Sequence, residues 1–112
     1  MRTGGATEIE IQAAIRAAFA HDPGVVMWRN NSGVAHGHVR YGLCPGASDL
    51  LGIIAPSGRW LALEVKRPGQ PPSPEQVRFL QLVRRMGGFA AVVHTVAEAR
   101  DALARARAGA SS

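Results

Sequence analysis

The chain has 112 residues, 46% of them hydrophobic, which is enough to bury one compact core and excludes a disordered tail. Thirteen Lys and Arg against eight Asp and Glu give a net charge of +5, which favours a polyanionic partner such as nucleic acid, although solvated basic helices would give the same excess. A single cysteine excludes an internal disulfide and a cysteine-based zinc cluster. Because no apolar stretch resembles a membrane span or a signal peptide, we expect a cytoplasmic protein.

Hydrophobic periodicity and turn residues predict three helices and five strands in one domain, residues 1–112. The predicted helices cover about residues 8–20, 74–86 and 96–108. The predicted strands cover about residues 25–28, 38–41, 50–55, 59–66 and 89–94. The core is expected over about residues 8–108, followed by a flexible tail at 109–112. This order of elements indicates an α/β fold with a mixed central sheet flanked by helices.

Polar residues mark the starts of the first two helices. Thr7 stands at the N-cap of the first. Ser73 stands at the N-cap of the second, with Pro74 at its first position. Gln76 follows where the reciprocal partner of a capping box is found. The sequence therefore predicts that Gln76 caps the second helix, whatever further role it has.

The strand over residues 59–66 ends with two charged residues on one face. Side chains alternate along a strand, so Glu64 and Lys66 lie side by side while Val65 points the other way. A hairpin that turns at residues 56–58 brings Asp49, at the start of its first strand, to the end of its second. Two carboxylates and an ammonium are therefore expected in one corner, where burying a charge without a partner is expensive.

This corner has the residue types of a hard-metal site. Two adjacent carboxylates repel each other unless a cation neutralises them, so Asp49 and Glu64 are candidate ligands of Mg²⁺ or Mn²⁺. The backbone carbonyl of Val65 is a candidate third ligand, and Lys66 is a candidate to hold or help deprotonate the attacking water. Glu8 lies on the inward face of the first helix and is either a ligand, directly or through water, or a first-turn acid that favours the helix dipole.

Other residues have alternative interpretations. The candidate DNA contacts are Arg29, Asn30, Asn31, Arg40, Tyr41 and Arg67. Such side chains position a duplex through its phosphates and sugars, and ordinary loop polarity is the alternative for each. Trp28 and Trp60 are expected in the core or at an interface. His94 ends an apolar strand and is expected to be structural.

Asp49, the hairpin and Glu64-Val65-Lys66 resemble the Asp…(Glu/Asp)-x-Lys signature of the restriction-endonuclease-like nuclease superfamily. Several further segments are similar to its virus-type replication-repair nuclease branch, the VRR-NUC domain. These segments are Glu8-Ile9-Glu10-Ile11-Gln12, Arg29-Asn30, Gly42…Gly46-Ala47-Ser48-Asp49-Leu50, Ser73-Pro74-Glu75-Gln76 and Gly87-Gly88. The family commonly has proline where Ser48 stands, and serine allows the same extended backbone.

The resemblance implies a restriction-endonuclease-like αβββαβ core and divalent-metal-dependent cleavage of phosphodiester bonds. The implied catalytic residues are Glu8, Asp49, Glu64 and Lys66, with Gln76 as an auxiliary residue. Members of this size are typical of phage and bacterial genomes, and some cut branched DNA such as four-way (Holliday) junctions, often as homodimers. We therefore expect a DNA endonuclease in a bacterial or phage-infected cell.

Two alternatives to an active nuclease stay open at this point. One is a catalytically weak DNA-binding module of a larger repair or phage replication complex. The other is a structural scaffold in which Glu64 and Lys66 form a buried ion pair, so that removing Lys66 would destabilise folding by several kcal/mol.

Overall fold

A computed structural model describes residues 5–30, 33–35, 39–41 and 44–112, with the backbone alone for 33–35 and 39–41. The helices are α1 (Glu8–Phe19), α2 (Pro74–Arg85) and α3 (Val96–Arg107). The strands are β1 (Val25–Arg29), β2 (Gly33–Ala35), β3 (Val39–Tyr41), β4 (Leu50–Ile54), β5 (Arg59–Val65) and β6 (Phe89–Val93). Within this part of the chain, no helix is both long and apolar enough to cross a membrane.

A four-stranded mixed sheet in the order β1-β4-β5-β6 forms the centre of the fold. The pairs β1–β4 and β4–β5 are antiparallel, and β5–β6 is parallel. This mixed sheet with flanking helices confirms the predicted fold class. The strands β2 and β3 form a separate antiparallel pair, whereas the sequence predicted a loop where β2 lies.

The alternation of β5 divides the core between the two faces of the sheet. Leu61, Leu63 and Val65 belong to the larger cluster, which α1 and α3 cover. The smaller cluster on the opposite face consists of Leu51, Ala62, Leu80 and Ala90. Because α2 packs mainly on β5 and β6, part of this second face is left open. The exposed apolar side chains there are Val26, Trp28, Ile53 and Trp60.

The predicted caps of the first two helices are present. The hydroxyl oxygens of Thr7 and Ser73 accept hydrogen bonds from the third backbone amide of α1 and of α2. In each helix the side chain at that third position, Glu10 or Gln76, accepts in return from the N-cap amide. Caps of this kind typically stabilise a helix by about 1 kcal/mol.

The last four residues return to the body of the protein, although the sequence predicted a flexible tail for them. Gly109 ends α3 in the left-handed region, with φ +96°, and reverses the chain. Ala110 then packs against the larger core. Its carbonyl accepts a hydrogen bond from the Arg59 guanidinium at 2.6 Å, and the carbonyl of Ser111 accepts one from the amide of Ala90 at 3.1 Å.

Candidate active site

The candidate site lies where β4 begins and β5 ends. Leu50 pairs with Leu63, so one step further along the ladder Asp49 comes opposite Glu64. The Asp49 carboxylate accepts a hydrogen bond from the backbone N–H of Val65 at 3.0 Å. Its backbone carbonyl accepts one from the N–H of Asn30, after β1, at 2.8 Å. Asp49 is therefore held from the strands on both sides of it.

The turn before Asp49 packs closely on the start of α2. Gly46 has a φ of +85°, which L side chains rarely adopt. A Cβ added there would lie 2.5 Å from the backbone carbonyl of Glu75. Only glycine therefore allows this approach, and it brings the first turn of α2, with Gln76, beside the carboxylates.

Glu64 is a carboxylic acid enclosed by protein, with 1% of its surface exposed. Its Oε1 accepts a hydrogen bond from the Gln76 side-chain amide at 2.8 Å, whereas its buried Oε2 meets no hydrogen-bond donor among the described residues. The pKa of Glu64 is raised to about 9, chiefly by burial and then by a side-chain hydrogen bond with Asp49 and the charge of Asp49, against the opposing charge of Lys66. Two ionised carboxylates cannot hydrogen-bond, so this pair needs either a proton or a cation between its members.

Lys66 lies between two carboxylates at the end of the sheet. Its Nζ is 3.8 Å from Oε1 of Glu64 and 4.0 Å from Oε1 of Glu8. Its side chain is 17% exposed, and that of Glu8 is 35% exposed. The first turn of α1 thus brings Glu8 to the site, as its position on the inward helix face predicted.

The sequence also distinguishes Lys66 from every other basic residue of the chain. It is the single lysine among the thirteen basic residues of the chain, the other twelve being arginine. Arginine is planar and always charged, whereas lysine is a compact cation that can lose its proton. A chain that uses arginine at every other basic position thus has lysine beside the buried carboxylate of Glu64.

The backbone hydrogen bonds turn the Val65 carbonyl toward Asp49. The N–H of Lys66 donates to the carbonyl of Val93 on β6 at 3.1 Å. In a trans peptide the preceding carbonyl points the opposite way, and the N–H of Val65, on that same side, already meets the Asp49 carboxylate. The carbonyl of Val65 therefore faces the carboxylates, where the sequence analysis expected a third oxygen ligand.

Gln76 makes two hydrogen bonds with its side chain, one at the start of α2 and one to a candidate ligand. Its Oε1 accepts from the backbone N–H of Ser73 at 2.7 Å and completes the capping box of α2. Its Nε2 donates to Glu64 at 2.8 Å. One side chain thus connects the start of a helix to a buried carboxylate, and the second contact leaves Oε2 of Glu64 as the free oxygen.

This donor set fits a hard divalent cation. Among the described residues, no three His, Cys, Asp or Glu side chains are arranged to hold a metal. Mg²⁺ and Mn²⁺ instead bind through one or two carboxylates and keep several waters. That requirement is met by the carboxylates of Asp49 and Glu64, the second through its Oε2, together with the carbonyl of Val65.

Three further polar side chains each have a buried atom without a hydrogen-bond partner in the part of the chain that the structure describes. Buried polar atoms are normally hydrogen-bonded, yet Nδ2 of Asn30 and Oγ of Ser48 are buried without a partner. So is Oε1 of Gln12, a residue only 6% exposed and one helical turn after Glu8. The position of Gln12 on the apolar face of α1, four residues after a site residue, was the signal that could have identified it.

The structure places only some of the predicted DNA contacts. Arg29 ends β1 and Arg67 follows Lys66, and both are exposed beside the site. Asn30 adjoins Asp49 through its backbone. Asn31 lies outside the described residues, and the side chains of Arg40 and Tyr41 on β3 are outside them as well.

A mixed sheet flanked by helices, with two carboxylates and a lysine at neighbouring strand ends, is the architecture of the restriction-endonuclease-like nucleases. Within that class, the sequence pattern of the VRR-NUC domain matches residues 7–97, and the chain belongs to this family. A solved structure described as a VRR-NUC domain has the same fold, with a TM-score of 0.62 and 23% identity, over 88% of this chain and 97% of that one. No curated protein matches the sequence. The chain is thus a nuclease domain, and its family implies DNA as the substrate.

Proposed function

We propose that this domain is a DNA endonuclease that hydrolyses phosphodiester bonds with the help of Mg²⁺ or Mn²⁺. The observation that carries the proposal is the pair of Asp49 and Glu64. Glu64 is buried, its Oε2 has no partner, and its nearest acidic neighbour raises its pKa. A divalent cation would supply a partner for Oε2 of Glu64, and it would neutralise the repulsion between the carboxylates of Asp49 and Glu64.

Each residue then has a distinct role. Asp49, Glu64 and the Val65 carbonyl hold the cation, which supplies Lewis acidity that lowers the pKa of water and offsets charge at phosphorus. Lys66 orients the attacking water and stabilises negative charge on the scissile phosphate. Glu8 keeps Lys66 in place from the side of α1, or assists the cation through a water.

Gln76 supports this arrangement by orienting Glu64. Its amide donates to Oε1, which would leave the other carboxylate oxygen to hold the cation. Holding a ligand in one orientation from outside the first coordination sphere typically changes metal affinity or activity by about 10- to 100-fold. Gln76 is therefore an auxiliary residue and not a ligand.

We propose that the exposed Arg29 and Arg67 contact the phosphates of the substrate, and the same role stays a prediction for Asn30, Asn31, Arg40 and Tyr41. A domain of this size has little surface for reading bases, so it recognises DNA by shape. Recognition by shape favours branched substrates such as four-way junctions. A cytoplasmic location in a bacterial or phage-infected cell, and a part in DNA repair or phage replication, rest on the resemblance to the family.

A homodimer is also part of the proposal. Its support is the open apolar sheet face, where Trp28 and Trp60 contact each other edge to face, with ring centroids 6.1 Å apart. A two-fold contact through this face covers exposed tryptophans and gives two sites for paired strand cuts. Light scattering should show a dimer for the wild type and a monomer for Trp60→Ser. Ile9→Ser, an exposed apolar position on α1, is the control that should stay dimeric.

The nuclease proposal is tested by cleavage of plasmid DNA and synthetic four-way junctions with Mg²⁺, Mn²⁺ or EDTA. Cutting should require the metal, and Lys66→Ala should reduce it by at least about 100-fold. Arg78→Ala, whose exposed side chain lies on α2, should cut like the wild type. Nicking that survives Lys66→Ala at the wild-type rate would contradict the assigned site. DNA binding without cleavage under every metal condition would favour the binding-module alternative.

A further inference from the structure

His94 lies just after β6, beside the backbone of Lys66. Its Nδ1 is 3.0 Å from the carbonyl oxygen of Lys66. A carbonyl can only accept, so Nδ1 carries the hydrogen and donates it. The N–H of Lys66 donates to the carbonyl of Val93 at 3.1 Å. Both backbone groups of Lys66 are therefore tied to the end of β6, one residue beyond the last ladder pair, Val65 with Val93.

This attachment matters because the side chain of Lys66 is not fixed by short contacts. The distances from Nζ to the carboxylates of Glu8 and Glu64 are 4.0 Å and 3.8 Å, which are ion-pair distances and not hydrogen bonds. A four-carbon stem with three rotatable donors adopts many conformations. The region that Nζ can reach is consequently set by where the backbone of residue 66 is held.

The start of α3 holds His94 in turn. The backbone N–H of His94 donates to Oε1 of Glu98 at 3.3 Å. Thr95 is the N-cap of α3, and its hydroxyl accepts from the N–H of Glu98 at 3.0 Å. The backbone of His94 is thus bound to the first turn of α3, while its half-buried imidazole donates a hydrogen bond to the backbone just after β5.

We propose that His94 is a positioning residue that fixes the backbone of Lys66 for cleavage. The peptide whose carbonyl, that of Val65, faces Asp49 is held by the other of the two bonds, from the N–H of Lys66 to the carbonyl of Val93. His94 touches neither substrate nor cation, and it acts through the residue it holds. This inference rests on the proposed function, because it gives Lys66 its catalytic role.

Two isosteric variants distinguish this role from simple packing. In His94→Asn the amide nitrogen takes the place of Nδ1, whereas in His94→Gln it takes the place of Nε2. His94→Ala and His94→Gln should lower kcat by about 10- to 100-fold, because a misplacement of about 1 Å has effects of that size. KM for DNA should stay within about twofold, and His94→Asn should recover most of the rate. His21→Ala, an exposed histidine in the turn before β1, should cut like the wild type.

A second readout does not depend on cleavage. Reductive ¹³C-methylation labels the single lysine of the chain and the N-terminal amine, so NMR reports the surroundings of Lys66 directly. The Lys66 signal should move in His94→Gln and keep its wild-type position in His94→Asn. Nitrogen NMR of neutral His94 should show the hydrogen on Nδ1. Denaturant midpoints of all variants check that each is folded under the assay conditions.

These outcomes separate the inference from the proposed function. If the wild type cuts but His94→Gln cuts equally well, or if Nε2 carries the hydrogen, the positioning role is wrong. If the wild type cuts no DNA with any metal, the nuclease proposal fails. In that case the Lys66 signal still decides whether His94 positions the lysine.

Discussion

The strand β5 has a basic residue near each end, and the protein surrounds the two ends very differently. At the first end, Arg59 donates four hydrogen bonds to backbone carbonyls. Their acceptors are Gly87, Gly88, Ala106 and Ala110, at 2.6–3.4 Å. At the second end, the contacts of the Lys66 side chain within the described residues are ion pairs of 3.8 and 4.0 Å, and the nearby Glu64 has a buried oxygen without a hydrogen-bond partner there.

The difference separates the part of the fold that is complete by itself from the part that a ligand completes. Arg59 supplies donors to the ends of α2 and α3, where unsatisfied carbonyls would otherwise accumulate. The unmet groups around Asp49 raise the free energy of the metal-free protein, since a buried polar atom without a partner typically costs about 1–3 kcal/mol. The end of β5 at Arg59 therefore stabilises the domain, whereas the end at Lys66 has polar groups that are left to bind a cation and DNA.

The largest effect is expected for Glu64→Gln, which keeps the shape of the side chain and removes its charge. Cleavage should fall by about a thousandfold or more, since the cation loses a ligand. Metal-free stability near neutral pH should rise by about 2 kcal/mol, because the glutamine needs no proton to be buried. Single-turnover cleavage and denaturant unfolding in EDTA measure the two quantities. A loss of metal-free stability would show that Glu64 contributes to the fold as well as to function.

The opposite pattern is expected at the first end of β5. Arg59→Ala should lower the free energy of unfolding by about 2–4 kcal/mol, because it removes charge-assisted hydrogen bonds and leaves carbonyls unpaired. Cleavage at 25 °C should stay within about twofold of wild type while the variant remains folded. Arg59→Lys should recover only part of the stability, since a single ammonium cannot reach all four acceptors. Equal stability of Arg59→Ala and the wild type in urea would show that the hydrogen bonds of Arg59 do not stabilise the domain.

The pH dependence of metal-free stability should distinguish the two ends next. The pKa of Glu64 is raised from its ordinary 4.5 to about 9, chiefly by burial. The folded protein thus holds a proton that the unfolded chain has released, so stability is greatest below pH 4.5 and declines as pH rises toward 9. The slope should approach about 1.4 kcal/mol per pH unit.

Two controls make that pH profile specific. Glu64→Gln should flatten the profile, whereas Arg59→Ala should displace it downward at every pH. Mg²⁺ should stabilise the wild type more as pH rises, because it binds the ionised carboxylate. Parallel profiles for the wild type and Glu64→Gln would exclude Glu64 as the group responsible.

Local patterns were sufficient to predict every helix, every strand except β2, and the convergence of the carboxylates. Caps and glycines fixed the helix ends, and the hairpin turn at residues 56–58 placed Asp49 opposite Glu64. The strand β2, with three residues and a glycine, is too short to give a periodic signal. Such short-range rules work where the interacting residues are close in sequence or joined by one turn.

The interactions that escaped prediction are long-range and involve the backbone. Arg59 reaches Ala110, 51 positions away, and His94 reaches Lys66, 28 positions away. In both cases the acceptor is a backbone carbonyl, which every residue possesses and which therefore has no sequence signature. The sequence contained a clearer signal in its single lysine, whose rarity and position both point to the site.

The smallest expected effects concern α2, where one side chain serves both stability and the site. Ser73→Ala removes the acceptor for the N–H of Gln76, at 3.2 Å, and should lower stability by about 1 kcal/mol without changing cleavage. Gln76→Glu keeps an acceptor for the Ser73 amide but loses the donor to Glu64. Stability should change by less than about 1 kcal/mol, while cleavage falls about tenfold because Glu64 loses its orientation.

Gln76→Ala removes both contacts and should show both losses together. The three variants thus divide one residue into a capping part, measured by unfolding, and an orienting part, measured by kcat. If Ser73→Ala slowed cleavage as much as Gln76→Glu did, the position of the whole helix, and not the amide of Gln76, would control Glu64. In α2, the contacts that stabilise the fold could then not be separated from those that serve cleavage.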